Sequence, residues 1–173
     1  MRIGIIAEFN PLHSGHKYLI EQAQNLIAVN GSGGEIVCVM SEYFTQRGEA
    51  AITDGYTRAK EAVRSGCSLV IALPYLGSVA YSDDFARKSI EILDGAGITH
   101  LIFGTEEMDI EVFEEIYKKQ QETSSEKYRE LLKQGYSFAK INGELYGMSN
   151  NNPNFSLAYS YYKMIKEFAP HIQ

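Results

Sequence analysis

Two histidines three residues apart, His13 and His16, sit either side of Gly15 in the segment Ala7-Glu-Phe-Asn-Pro-Leu-His-Ser-Gly-His16. A spacing of three places both imidazoles on one side of a starting helical turn. Both can then donate to the same phosphoryl oxygens. Gly15 takes away a side chain where a nucleotide would press against the backbone. Such a group stabilises charge on a phosphorus centre under attack, mainly by positioning and electrostatics. On spacing alone the pair also suits a metal pair or a capped turn. Cys38 or Cys67 would then complete a zinc site. Both cysteines lie in or beside apolar stretches without paired spacing, which weighs against zinc and against a disulfide framework.

The elements around this segment favour the phosphate reading. Ile3–Ala7 reads as a buried strand, followed by Glu35–Met40, Leu69–Leu73 and Thr99–Phe103. These runs are continuously apolar, as strands covered on both faces of a parallel sheet must be. Helical patterns separate them: His16–Ala28, Thr57–Arg64 closed by Gly66, and Ser82–Leu93 with Ser82 as its cap and Asp83 and Asp84 in its first turn. Strand–helix alternation predicts an α/β fold, a doubly wound parallel sheet of Rossmann-like type. In such a sheet ligands bind beyond the carboxyl ends of the strands, and a helix N-terminus there attracts phosphate. The histidines lie between the first strand and the first helix.

The last third, 105–173, reads as a mainly helical extension of a single domain spanning 1–173. Asp109 caps a helix with Phe113, Ile116 and Tyr117 on one face. Ser125 caps Glu126–Gln134, closed by Gly135. Asn152 caps a helix opening at Pro153, with Leu157, Tyr161, Met164, Ile165 and Phe168 as its buried stripe. The tyrosines 159, 161 and 162 suit base stacking, but at helical spacing they suit packing better.

Sixteen basic and 22 acidic residues leave a net charge of −6, split evenly about residue 100. No basic face is advertised, which speaks against strong nucleic-acid binding by this chain alone. Arg47 falls in a polar loop. Arg58 and Lys60 lie in the first turns of a helix, where a cation opposes the dipole and an anion partner would relieve it. All three are candidate phosphate or RNA contacts. Glu106 is open in role, and His100 and His171 read as structural or solvent-exposed. No apolar run reaches ~18 residues, so no membrane span is expected. The opening Met1-Arg2-Ile3 has no signal-peptide pattern, and a cytoplasmic location is the expectation.

These residues carry a resemblance. The His-x-Gly-His element after the first strand resembles the signature of the nucleotidyltransferase superfamily related to class I aminoacyl-tRNA synthetases. More narrowly, Glu8–His16 is similar to the opening of the tRNA(Met) cytidine acetate ligase family. That family also carries segments like Met40-Ser41, Phe44, Gln46-Arg47-Gly48-Glu49, Arg58-x-Lys60, Ser65-Gly66, Leu73-Pro74, Phe103-Gly104-x-Glu106 and Pro153-Asn154, in this order. The resemblance implies that ATP and acetate form acetyl-adenylate, which acetylates the wobble cytidine of elongator tRNA(Met), with Mg²⁺ on the outgoing phosphates. It implies His13 and His16 as catalytic residues on the α-phosphate. Ile6, Ala7, Glu8, Phe9, Asn10, Gly15 and Leu19 would line the ATP cradle, and Gly104 and Asn154 would meet the nucleoside. The sequence departs from the family at Glu42, where glycine is usual, at Gly55, where lysine is usual, and at Ala72, where glutamate is usual. The family's serine-rich segment with its phosphate-binding arginine lies beyond the stretch that matches. Two other readings stay open: a nucleotidylyltransferase that adenylates a small phosphate compound, and a nucleotide-binding module without turnover.

Overall fold

Four short β-branched runs, each bounded by turn residues, form one parallel sheet in the computed structural model, which describes residues 1–31, 33–105, 110–148 and 153–173. The strands are β1 (Arg2–Ala7), β2 (Glu35–Ser41), β3 (Leu69–Leu73) and β4 (His100–Ile102). Their spatial order is β3-β2-β1-β4, with every neighbouring pair parallel. The order reverses at β1, so the crevice above β1 and β4 is the ligand position of a doubly wound sheet.

Alternation along β1 divides the core. Ile3 and Ile5 face helices α1 (Ser14–Val29) and α2 (Gly55–Arg64), packing with Phe9, Ile20, Ala23, Ala62 and both cysteines. Ile6 faces the other way, toward α4 (Ser82–Gly95) and α8 (Pro153–Phe168), with Val37, Val39, Phe85, Ile90, Tyr161 and Met164. Each face thus removes a strip of β-branched and aromatic surface from water, at about 25 cal/mol per Å². A single turn, α3 (Tyr75–Ser78), joins β3 to α4. The main chain of Gln173 bonds to Thr99 and Leu101 along the outer edge of β4.

The α8 helix has two buried sides. Its opposite side, with Tyr159 and Tyr162, packs on Phe113 of α5 (Ile110–Glu122), ring centroids 5.8 and 5.6 Å apart. Helices α6 (Ser125–Lys133) and α7 (Phe138–Tyr146) flank this cluster, to which α7 contributes Tyr146. The tyrosines are packing, with Tyr159 Oη donating to Gln120 Oε1 at 2.9 Å.

Four local readings are corrected. Tyr81, not Ser82, is the N-cap of α4, because its carbonyl already accepts from Phe85 N–H and Ser82 is helical. Ser124, not Ser125, caps α6, its Oγ accepting from Lys127 N–H. Phe168 is half exposed with Arg87 over its ring, because Met164 and Ala169, not Phe168, face the core at the end of α8. An additional helix, α7, starts at the Ser137 cap and ends at Gly147 in the left-handed region; Asn142 and Gly143 inside it obscure its periodicity. Asp109 and Asn152 lie outside the described residues, but α8 opens at Pro153 as expected.

Candidate active site

Beyond Ala7 the chain must leave β1 and start α1 within six residues. It does so through Phe9 at φ +47°, a conformation a bulky residue occupies at a cost of about 1–3 kcal/mol. The surroundings hold it there. The Phe9 ring is fully buried and meets the His16 ring edge-on, with centroids 5.0 Å apart. Glu8 Oε1 accepts from Gln46 N–H at 2.5 Å, and Asn10 Oδ1 accepts from Ile52 N–H at 2.7 Å. Residues expected to line the ATP cradle thus also fasten the loop between β2 and α2.

His13 is the N-cap of α1. Its Nδ1 accepts from Gly15 N–H at 3.1 Å, and His16 Nδ1 accepts from His13 N–H at a longer 3.4 Å. This is a capping box built from imidazoles. With both Nδ1 atoms accepting, each neutral ring carries its proton on Nε2 and has that one N–H to offer. The rings stack at 3.8 Å with 24° between planes. Burial, then the neighbouring His13, lowers the His16 pKa to about 4, with the Pro11 carbonyl opposing. His16 is therefore an uncharged donor at neutral pH. A Cβ on Gly15 would stand 3.1 Å from His13 Cε1, so glycine leaves room for the imidazole cap itself.

The structure gives Arg58 another task from the one expected of it. The residue is 3% exposed, and its guanidinium donates to the carbonyls of Glu8 (2.5 Å), Ser41 (2.9 Å), Thr53 (3.1 Å) and Glu42. It ties the ends of β1 and β2 to the start of α2 and is not presented to a phosphate or RNA. Desolvation lowers its pKa, opposed by Glu8, Asp54 and Glu42. Arg47 is exposed at the tip of the 43–51 loop, where Phe44 and Ala50 bridge and Gly48 turns the chain at φ +81°. Lys60 lies elsewhere, in a groove between α2 and β3 with Tyr56, Val63 and Leu69.

The side chains of Ile6 and Leu19 belong to the two core layers, so Ile6 can meet a ligand only through its backbone. Gly104 is exposed two residues past β4; continuing the Ile5↔Ile102 register places it level with Ala7. Asn154 is exposed in the first turn of α8, and Glu106 lies outside the described residues. Cys38 and Cys67 face each other in the core, Sγ atoms 3.0 Å apart. Among the described residues no group of three metal-capable side chains comes together, and no helix is long and apolar enough to cross a membrane.

One coupling was not read from the sequence. Glu42 and Gly55, two of the departures from the family pattern, touch: a Cβ on Gly55 would lie 2.7 Å from Glu42 Cγ. The loss of a side chain at 55 is what admits the glutamate at 42. Nothing in their spacing of 13 residues signals that contact.

The whole chain, residues 1–173, matches the family model described as HIGH Nucleotidyl Transferase. The chain belongs to this family. It is similar to the tRNA(Met) cytidine acetate ligases of Streptococcus pneumoniae: 41% identical over 169 residues in strain ATCC 700669 / Spain 23F-1 and 40% in strain 70585. In both cases 94% of this chain aligns with 44% of the relative. Its fold is that of Thermotoga maritima TmcAL bound with alpha-thio ATP, at a TM-score of 0.85 and 28% identity, covering 99% of this chain and 45% of that one. The apo form of the same protein also gives 0.85. The chain spans under half the length of the relatives it matches. Like the rest of its β1–α1 segment, its stacked histidines lie at the crevice where the strand order reverses.

Proposed function

We propose that this chain holds the ATP site of a tRNA(Met) cytidine acetate ligase. Acetate attacks the α-phosphorus of ATP, the bond to pyrophosphate breaks, and acetyl-adenylate forms. The exocyclic amine of the wobble cytidine then attacks the acetyl carbon, releasing AMP and a proton. The observation that carries this reading is the His13–His16 pair, with both Nδ1 atoms bound to backbone and an Nε2–H left on each ring, at the N-terminus of α1. The likeness to named ligases and to an alpha-thio ATP complex supports it.

The chemistry needs no general base for the first step, because acetate is ionised near neutral pH. It needs in-line placement and donors aimed at the phosphoryl oxygens. Two Nε2–H groups and the remaining N–H groups of the first α1 turn supply them. An uncharged His16 donates without first losing a proton. Mg²⁺ would arrive on the nucleotide's phosphates, which is how this ion is commonly held, and would add charge neutralisation there.

The test is calorimetric titration of the chain with ATP and Mg²⁺, followed by a pyrophosphate assay with and without acetate. Acetate-dependent pyrophosphate is the expected result. Pyrophosphate that instead requires a phosphomonoester would overturn the carboxylate assignment in favour of nucleotidyl transfer to phosphate.

A further inference from the structure

A cleft of roughly 280 Å³ opens between the ends of β2 and β3, lined by Glu42, Tyr43, Phe44, Leu73, Pro74 and Tyr75. Its walls are unusual for a surface. Tyr43 is 61% exposed and Tyr75 56%, and the Phe44 and Tyr75 rings meet edge-to-face at 5.4 Å. Aromatic faces left open in a cleft are platforms for planar ligands. Among the described residues Glu42 is the one charged residue lining it; Arg58 holds its main-chain carbonyl, and its Cγ lies where a Cβ on Gly55 would press. An ionised carboxylate only accepts hydrogen bonds. The cleft therefore suits a flat ring that presents an amino group, and disfavours one that presents a carbonyl in the same place.

Tyr43 reinforces this. Interaction with the neighbouring Glu42 carboxylate raises the pKa of its phenol. The cleft is also fastened to the nucleotide crevice. Its Tyr43–Phe44 wall belongs to the loop whose main chain Glu8 and Asn10 grip, and Gln46 Nε2 bonds to the Ala80 carbonyl on the α3–α4 side.

We propose that this cleft is the subsite for an unpaired cytosine base of an RNA, stacked on Tyr43 and Tyr75 with its exocyclic amine donating to Glu42. A carboxylate accepting from the cytosine amine is a known base-reading contact, and uracil offers an acceptor at that position. The subsite rests on the proposed acylation of a cytidine, since it names where that acceptor sits.

The experiment is fluorescence anisotropy of the intact chain with 5′-labelled pentanucleotides rC5 and rU5 at low salt, with Glu42→Gln and Tyr75→Ala variants. Neither side chain is in the core, and circular dichroism checks that both variants fold. The expected result is tighter binding of rC5 than rU5, by about tenfold or more. Glu42→Gln removes the preference, and Tyr75→Ala weakens rC5 binding by about tenfold to a hundredfold, the range for losing one stacked base. Equal affinity for the two oligomers, a preference that survives Glu42→Gln, or no binding of rC5 overturns the subsite. The pyrophosphate assay runs beside it and requires no base. A cytosine preference without acetate-dependent pyrophosphate leaves the cleft standing and removes the ligase reading. Pyrophosphate formation without a cytosine preference does the reverse.

Discussion

Replacing His13 by asparagine and by alanine separates its two duties. In the folded chain His13 Nδ1 caps α1 by accepting from Gly15 N–H, while Nε2–H is free to serve a ligand. Asparagine is among the best N-caps, so His13→Asn keeps the acceptor and discards the distal donor. Alanine discards both. Loss of a cap costs about 1 kcal/mol, or roughly 2–4 °C in Tm for a chain of this size. Loss of a donor aimed at developing charge costs about 10²–10³ in turnover, roughly 2.7–4 kcal/mol. Thermal unfolding and acetate-dependent pyrophosphate release, measured on both variants, read the two quantities apart. His13→Asn should unfold with the parent chain yet lose turnover a hundredfold or more, and His13→Ala should lose as much turnover and also melt a few degrees lower. Turnover in His13→Asn within tenfold of the parent would reduce His13 to a helix cap and remove it from the chemistry.

Three further outcomes are expected. His16 has a folded pKa of about 4 against about 6.5 unfolded, so the unfolded chain binds the extra proton between these values and stability falls as pH drops from 6.5 to 4. The full shift corresponds to about 3 kcal/mol, which screening at this half-buried ring reduces to on the order of 1–2 kcal/mol. Urea unfolding of the parent and of His16→Gln across that range should show the difference converging toward pH 4. Arg58→Met should cost about 3–5 kcal/mol in a urea titration, because buried carbonyls lose their donor, with Arg58→Lys intermediate; a cost under 1 kcal/mol would mean that the fork is not formed in solution. The hydrogen bond with Cys67, then burial, raises the Cys38 thiol above its ordinary range, and both thiols are buried. An aromatic disulfide reagent should therefore titrate neither thiol readily in the native chain and both in urea.

Much of this fold is legible because the strands are buried on both faces. The clearest case is Glu35–Met40, buried from Ile36 onward in a strand that runs one residue further, to Ser41; Leu69–Leu73, closed by Pro74, keeps the boundaries read for it although Leu69 is half exposed at the sheet edge. Caps are less legible where two serines adjoin, since type alone cannot say which of Ser124 and Ser125 stands at the turn. In the site, the sequence order strand–His-x-Gly-His–helix suffices to put both imidazoles on one turn. It cannot show that they stack, nor that burial keeps His16 neutral. Arg58 was misread for a definite reason. A cation near a helix start looks like an unmet charge until the carbonyls of three other segments converge on it. Tyr43 and Phe44 come one residue after a buried strand, and an aromatic pair at that position was a readable signal that went unused.

The grip of Glu8 and Asn10 on the neighbouring loop has an evolutionary side. Both carboxylate and amide bind main-chain N–H groups, of Gln46 and Ile52, and neither depends on the side chain found there. The loop's path is thus set from the β1–α1 segment, while its exposed side chains, Tyr43 and Arg47 among them, remain free to diverge. The replacement this arrangement forbids at 46 and 52 is proline, which has no N–H to give.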